Sequence, residues 1–334
     1  MLSRRQSLKL GAMSFCAPFI ATRAFGAPIT LRFGNELPVG SLLNVVLTQT
    51  SKKIADETNG EVQLQIFPAA QLGGGPELLS QLRSGALDFY SPSGAVLSTM
   101  MPVAAINNIG FVFSDMKRVW AAMDGELGAL VRTTFEKSPL YLFEKPWDCG
   151  FRQITTSTKP VTQASDLVGL KLRVPPSPLY TSMFSALGAA PTPIPFAEAY
   201  TALQTKIVDG QENPFQVIFD SKFYEVQRYV AQSNHMWEAY WITTNRRKWL
   251  ALPNDTREVL TKNFNNFAFV HRDETAKADL SIVDGLKAKG MQITQVDTAS
   301  FRKVLQDKGF YSTWRQNYGA DAWKTLERYS GQMS

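Results

Sequence analysis

The chain has 334 residues, 44% of them hydrophobic and 19% charged, with 35 Lys and Arg against 29 Asp and Glu. That mixture fits an ordinary globular protein and excludes a disordered or membrane-embedded chain. The formal charge of +6 is concentrated at the N-terminus, where residues 1–26 hold Arg4, Arg5, Lys9 and Arg23 and no acid; the remainder carries +2 (6 less 4) and no basic tract suited to nucleic acid.

Residues 3–9, SRRQSLK, read as a twin-arginine export signal, with Ser7 where a Phe is more usual. The apolar run 10–21 is too short to span a bilayer, and small residues at 24–26 offer a cleavage site. Cleavage is therefore expected near Gly26, giving a protein that folds before export and works in the periplasm. Cys16 follows Phe15 where a lipoprotein signal needs a small residue, so no lipid anchor is expected. Beyond the signal one cysteine remains, Cys149, which cannot form an intramolecular disulfide and is expected to be a buried small hydrophobe.

The 308 residues after position 26 (334 less 26) exceed what a single core usually organises, so two domains are expected. Residues 29–33 alternate as a strand and run into a turn at 34–38. A helix over 41–58 carries Leu42, Val45, Val46 and Ile54 on one face and stops at Asn59-Gly60. A strand at 62–67, a helix begun by Gly75-Pro76 and ended by Gly85, and a strand at 87–90 complete a strand–helix–strand–helix order that argues for an α/β fold with a largely parallel sheet. Gly73–Gly75 lacks the Lys-Ser/Thr of a phosphate loop and reads as a turn into a helix. A second α/β unit begins near Gly150, with a strand at 171–174 stopped by Pro175 and Pro176, helices at 180–187 and 197–206, and a strand-like stretch at 240–244. Residues 255–289 keep a helical period without proline, which is long for one globular helix.

Common catalytic signatures are missing. The two histidines, His235 and His271, belong to no HExxH or HxH pair, no Cys/His/Asp cluster has metal spacing, and no GxSxG elbow occurs. His271 reads as a structural residue on a helix face.

Three segments carry the functional signal: GLKLRVPP at 169–176, PFAEAYTALQ at 195–204 and VDGQENP at 208–214. The first sets Arg173 on a short strand. Its neighbours Leu172 and Val174 would turn one way and Arg173 the other, toward solvent or a cleft. A guanidinium matches a carboxylate through two parallel hydrogen bonds. The last segment sets Asn213 in a turn after a helix, where its amide can both donate and accept.

In this order and spacing the three segments resemble the DctP-type substrate-binding proteins of TRAP transporters, over essentially the whole chain beyond the signal. The resemblance implies that Arg173 forks the carboxylate of an organic acid. Arg152, in GFRQIT at 150–155, matches a second arginine that contacts or orders the same carboxylate. It also implies that Asn213 reaches a carboxylate oxygen, that Phe196 packs on the ligand, and that Glu36, Ser93 and Tyr240 stand at polar contact positions. Trp147, in the Trp-x-x-Gly-Phe-Arg pattern, is carried over as a candidate beside a structural role. Where sialic-acid-binding relatives place polar contacts, this chain has Gly75, Ser93, Val96 and Pro176, which argues for a smaller or partly apolar acid. Glu36 would then select ligands with a hydroxyl or other donor.

The resemblance further implies an α/β, two-lobed periplasmic-binding-protein clamp with a long inter-lobe helix. Lobe I would comprise 27–149 plus 239–278, and lobe II 150–238 plus 279–334. The expected role is capture of a monocarboxylate (hydroxy, oxo or aromatic) and delivery to TRAP membrane subunits, by a monomer that needs no cofactor and is not an enzyme. A uronate- or aldonate-binding protein, a clamp serving another transporter class, and a periplasmic enzyme acting on a carboxylate stand as alternatives.

Overall fold

The computed structural model describes residues 27–333; the expected export signal and Cys16 lie outside them. The chain forms two sheets. Strands β1 (Ile29–Gly34), β2 (Val62–Phe67), β3 (Phe89–Tyr90) and β4 (Leu140–Leu142) precede the long β5 (Trp147–Thr156). After it come β6 (Lys171–Val174), β7 (Ala190–Pro193), β8 (Gly210–Pro214), β9 (Tyr229–Gln232), β10 (Trp237–Tyr240), β11 (Thr243–Asn245) and β12 (Gln292–Gln295). The first sheet has the order β2-β1-β3-β11-β4, parallel among its first three strands. The second runs β12-β9-β5-β8-β6-β7, with β10 paired antiparallel to the start of β5.

The chain crosses between the sheets after β4, after β10 and again between β11 and β12. The expected strand at 240–244 is in fact two strands, because Trp241 and Ile242 carry the chain from β10 in one sheet to β11 in the other. The β5–β10 ladder slips register between Glu238 and Ala239. Opposite Glu238 sits Gly150 at φ +107, a conformation an L side chain rarely adopts. The crossing is thus built from a bulge and a glycine.

The first helix, Leu42–Glu57, buries Val46, Leu47 and Ile54 against β1 and β2, as its apolar spacing requires. Ser41 caps it by accepting from the Asn44 amide at 3.4 Å. The helix Asn254–Ala288 is the long one expected at 255–289. Its first half packs on Leu42–Glu57 through Leu260 and Phe264 in the first core, and its second half places Ile282 and Leu286 in the core of the second sheet. One rod therefore spans both sheets. The last helix, Ala320–Ser330, returns to the helices Met116–Met123 and Glu126–Thr134, where Arg118 donates to the Tyr329 carbonyl at 3.1 Å. It packs on the preceding helix Phe310–Tyr318 as well. No helix among the described residues is long and apolar enough to cross a membrane.

Phe264 is the aromatic centre of the first core, with ring centroids 4.9 Å from Phe143, 5.3 Å from Phe89 and 6.2 Å from Phe33. Truncation there opens a cavity in a packed ring cluster. Phe264→Ala is expected to cost about 3–5 kcal/mol by urea unfolding; a loss below about 1 kcal/mol would show that this cluster does not anchor the long helix.

Candidate functional site

A cavity of about 350 Å³ lies between the sheets, lined by residues of both. On one side β5, β8 and β6 are neighbours, and they bring Arg152, Asn213 and Arg173 together. On the other side, the loop after β1 supplies Glu36, the chain after β3 supplies Ser91 and Ser93, and the end of β10 supplies Tyr240. The loop after β1 is held by Asn44, whose side-chain amide donates to the carbonyls of Leu37 at 3.1 Å and Pro38 at 2.8 Å. Carboxyl ends of parallel strands are where open α/β sheets leave such a crevice.

The segment at 208–214 was expected to be a turn. It is instead the buried strand β8, which makes Gln211, Glu212 and Asn213 interior residues. That correction governs the electrostatics. Glu212 is fully buried and receives Arg152 through both carboxylate oxygens, with Nη2 2.9 Å from Oε1 and Nε on Oε2. Arg152 Nη2 also donates to the Glu212 carbonyl at 2.8 Å and to Asn213 Oδ1 at 3.2 Å. Its Nη1 lies 3.8 Å from Glu238, and its guanidinium stands over the Tyr180 ring at 5.2 Å. Burial alone would raise the Glu212 pKa, but Arg152 and His235 outweigh it and keep it below the ordinary carboxylate value. His235 Nε2 lies 3.2 Å from Glu212 Oε2, and burial lowers the pKa of this imidazole while Glu212 opposes the shift.

Arg173 is the contrast. It is 1% exposed, and its Nε donates to the Ile194 carbonyl at 2.8 Å. Among the described residues neither terminal nitrogen has a protein hydrogen-bond partner. Phe196 presents its ring 5.9 Å from the guanidinium carbon. Burial draws the Arg173 pKa down to about 10, partly opposed by the charges of Glu212 and Glu36. Leu172 and Val174 join the apolar core, so the residue between them faces the cavity.

Three polar atoms at the same cavity are buried without a close hydrogen-bond partner among the described residues: Glu36 Oε1, Ser91 Oγ and Tyr240 Oη, the last with only the Cys149 thiol nearby. Ser93 lines the cavity while capping the short helix Gly94–Leu97 by accepting from Val96 at 3.3 Å. Asn213 is committed on both sides of its amide, accepting from Arg152 and donating to Gln211. Gly75, Val96 and Pro176 form wall, together with Leu79 and Pro175. Cys149 lines the cavity too, as a buried thiol whose pKa burial pushes up and out of the reactive range.

Trp147 is the candidate that does not reach the site. Its indole is fully buried in the first core, donates to the Phe264 carbonyl at 3.1 Å and packs in a tilted arrangement on His271 at 5.2 Å. His271 is likewise interior, its pKa lowered to about 3 by burial. Missed by sequence reasoning were Ser91, Glu212, Glu238 and Tyr180. Glu212 had a signal: a charged residue between two amides that a turn assignment sent to solvent.

The match to the family model for bacterial extracellular solute-binding protein, family 7, covers residues 33–310. The 2,3-diketo-L-gulonate-binding periplasmic protein YiaO of Escherichia coli K12 is 29% identical over 303 residues, covering 89% of this chain and 92% of that one. A TRAP periplasmic solute binding protein from Polaromonas sp. JS666, solved bound to D-erythronate, superposes with a TM-score of 0.86 at 28% identity over 92% of this chain and 99% of that one. Another, from Desulfovibrio salexigens with bound orotic acid, gives a TM-score of 0.83 at 28% identity, over 90% and 97% of the two chains.

Removing Glu212 would strand Arg152 in the interior as an uncompensated charge. Glu212→Ala is expected to cost about 3–5 kcal/mol of unfolding free energy at pH 7 by chemical denaturation. Wild-type stability in that variant would mean that the Arg152 charge is balanced elsewhere.

Proposed function

The chain belongs to the bacterial extracellular solute-binding proteins of family 7, the DctP-type substrate-binding proteins of TRAP transporters, and we propose that it captures a compact organic monocarboxylate in the periplasm through Arg173. The observation that carries this reading is a buried guanidinium with two unspent terminal nitrogens in a cavity of about 350 Å³. An uncompensated buried charge is costly, and a ligand carboxylate would supply the missing bidentate partner. Arg152 is already engaged by Glu212, so it positions Asn213 and adds field, while Arg173 takes the anion. Phe196 would cover one face of the bound acid.

Lobes with the boundaries 27–149 plus 239–278 and 150–238 plus 279–334 would close on the ligand. Arg173 and Asn213 lie on one side and Glu36, Ser93 and Tyr240 on the other, so a ligand touching both sides gains contacts only in the closed form. The loaded protein would then deliver its cargo to the TRAP membrane subunits.

The size and polarity of the ligand follow from the wall. Leu79, Val96, Pro175 and Pro176 offer shape and apolar contact and few hydrogen bonds, which favours a small hydroxy, oxo or aromatic acid. A uronate or aldonate is the second reading, favoured by the unpartnered Glu36, Ser91 and Tyr240 atoms. A periplasmic enzyme acting on a carboxylate has no such observation behind it.

A thermal-shift screen of a carboxylate library identifies the best ligand, since specific binding raises apparent stability. Arg173→Lys keeps a charge and loses the fork, and calorimetry is expected to show a loss of about 2–4 kcal/mol of binding. The amide of the same acid is expected not to bind the wild type. Equal affinity for acid and amide would overturn the arginine–carboxylate reading.

A further inference from the structure

Resting on that reading, we propose that Glu36 is a proton site of the binding cavity: it takes up a proton as the carboxylate enters, and its protonated Oε1 donates a hydrogen bond to the ligand. The argument begins with a charge count. Two guanidinium groups, Arg152 and Arg173, share the buried region with three carboxyl groups, Glu36, Glu212 and Glu238. Burial lowers the pKa of His235 against the opposing pull of Glu212, which disfavours a third cation here. If all three acids were ionised, a ligand carboxylate would be a fourth anion against two cations, out of water. Charges so placed neutralise instead, by shifting pKa and binding protons.

The hydrogen-bond pattern identifies which acid does so. Both oxygens of Glu212 accept, from Arg152 and from His235. Both oxygens of Glu238 accept as well: Oε1 from the amides of Gly94 at 3.0 Å and Ala239 at 3.1 Å, and Oε2 from the Tyr180 hydroxyl at 2.7 Å. A proton on Glu212 or on Glu238 Oε1 would face a donor, and one on Glu238 Oε2, although burial raises that pKa, would require the Tyr180 hydroxyl to turn and accept. Glu36 differs, because Oε2 accepts from the Tyr90 hydroxyl at 3.1 Å and Oε1 is buried with no hydrogen-bond partner. Among the described residues it is the one carboxyl oxygen of the six that accepts no hydrogen bond at bonding distance, the Gly75 and Ala197 amides facing the carboxylate from farther off.

The neighbours of Glu36 set the direction of the linkage. Burial raises its pKa; the Gly75 amide at the start of helix Gly75–Ser84, the Tyr90 hydroxyl, the Arg173 charge and the Ala197 amide at the start of helix Phe196–Gln204 lower it. Glu77, on the first of those helices, acts on Tyr90. An anion seated on Arg173 cancels one of the lowering influences, so the Glu36 pKa climbs on binding and a proton follows. Gly75 keeps the arrangement tight, since a Cβ there would lie 2.8 Å from Glu36 Oε2 and 3.3 Å from the Tyr90 hydroxyl. The ligand class sharpens accordingly, to a carboxylate bearing an acceptor oxygen, oxo or hydroxyl, for Oε1–H. This replaces the donor-bearing ligand expected from sequence.

Glu36→Gln imitates the protonated acid at every pH. In calorimetry with lactate, D-erythronate and orotate as probes, run at pH 6–8.5 in phosphate and in Tris, the wild type is expected to take up as much as one proton per carboxylate. Its association constant then falls as pH rises, by at most tenfold per unit. In Glu36→Gln no proton is taken up and affinity changes less than threefold across the range. No proton uptake by the wild type, or a loss above tenfold in Glu36→Gln, overturns the proposal and makes Glu36 an ionised acceptor. A ligand-free measurement stands beside it. Because the folded-state pKa of Glu36 is raised, its contribution to stability is present at low pH and lost as pH rises through that pKa. The melting temperature of Glu36→Gln is therefore expected to gain on the wild type between pH 5 and 8.5. A difference constant with pH sinks the proton site, whereas binding of no carboxylate in the panel sinks the solute reading of Arg173.

Discussion

Keeping guanidinium groups charged out of water is the constraint on which this molecule depends. Desolvation of such an ion costs several kcal/mol even after relaxation, and only close, well-oriented acceptors offset it. Arg152 meets that demand within the chain: Glu212 takes it in a fork, Asn213 adds an oxygen, and Tyr180 offers its ring. Arg173 meets it only in part, through one main-chain carbonyl and the field of acids that do not touch it. Folding completes the hydrogen bonds of the first arginine, and the second keeps two terminal nitrogens without a partner among the described residues. That asymmetry is what the proposed binding role of Arg173 rests on.

The backbone makes the asymmetry possible. β8 lies between β5 and β6, so Glu212 can pair with Arg152 on one neighbour while Arg173 stands on the other. Gln211 and Asn213 spend their amides on Thr155 and on each other, which stiffens the strand and leaves no amide turned toward Arg173 as a substitute anion. Across the cavity, the crossing strand β10 carries Glu238, whose carboxylate holds the helix Gly94–Leu97 and the Tyr180 hydroxyl together. One buried acid thus connects elements that follow the first sheet to elements that follow the second, at the bulge opposite Gly150.

Much of this was legible in the sequence, and the failures have a common cause. The strands at 29–34, 62–67 and 171–174 and the helix at 254–288 follow from apolar period and from Pro and Gly stops, because local rules and tertiary packing agree there. Arg173 could be placed on a strand but not assigned a side, since alternation separates it from Leu172 and Val174 without saying which face is wet. VDGQENP was misjudged because Asp, Gly, Asn and Pro are turn formers, and a strand of Gln, Glu and Asn becomes tenable only when β5 and β6 supply its hydrogen-bond partners. Trp147 sits at the first position of β5, on the far side of the site, where Phe264 and His271 enclose it. A motif residue five positions before Arg152 on the same strand need not share its cavity.

The apolar wall completes the logic of the site. Leu79, Val96, Pro175, Pro176 and Phe196 contribute no hydrogen bonds through their side chains, yet they remove water from the space in front of Arg173. A charge pair in such surroundings is stronger than the same pair in water, and an unmatched polar atom beside it costs correspondingly more. The wall therefore amplifies both the attraction for a carboxylate and the penalty for any ligand that leaves Glu36, Ser91 or Tyr240 unsatisfied. Selectivity here arises less from the number of polar contacts than from the dryness in which a few of them operate. With Gly75, Val96 and Pro176 in the wall, recognition on the proposed reading falls to the polar groups that remain, Arg173, Glu36, Ser91 and Tyr240.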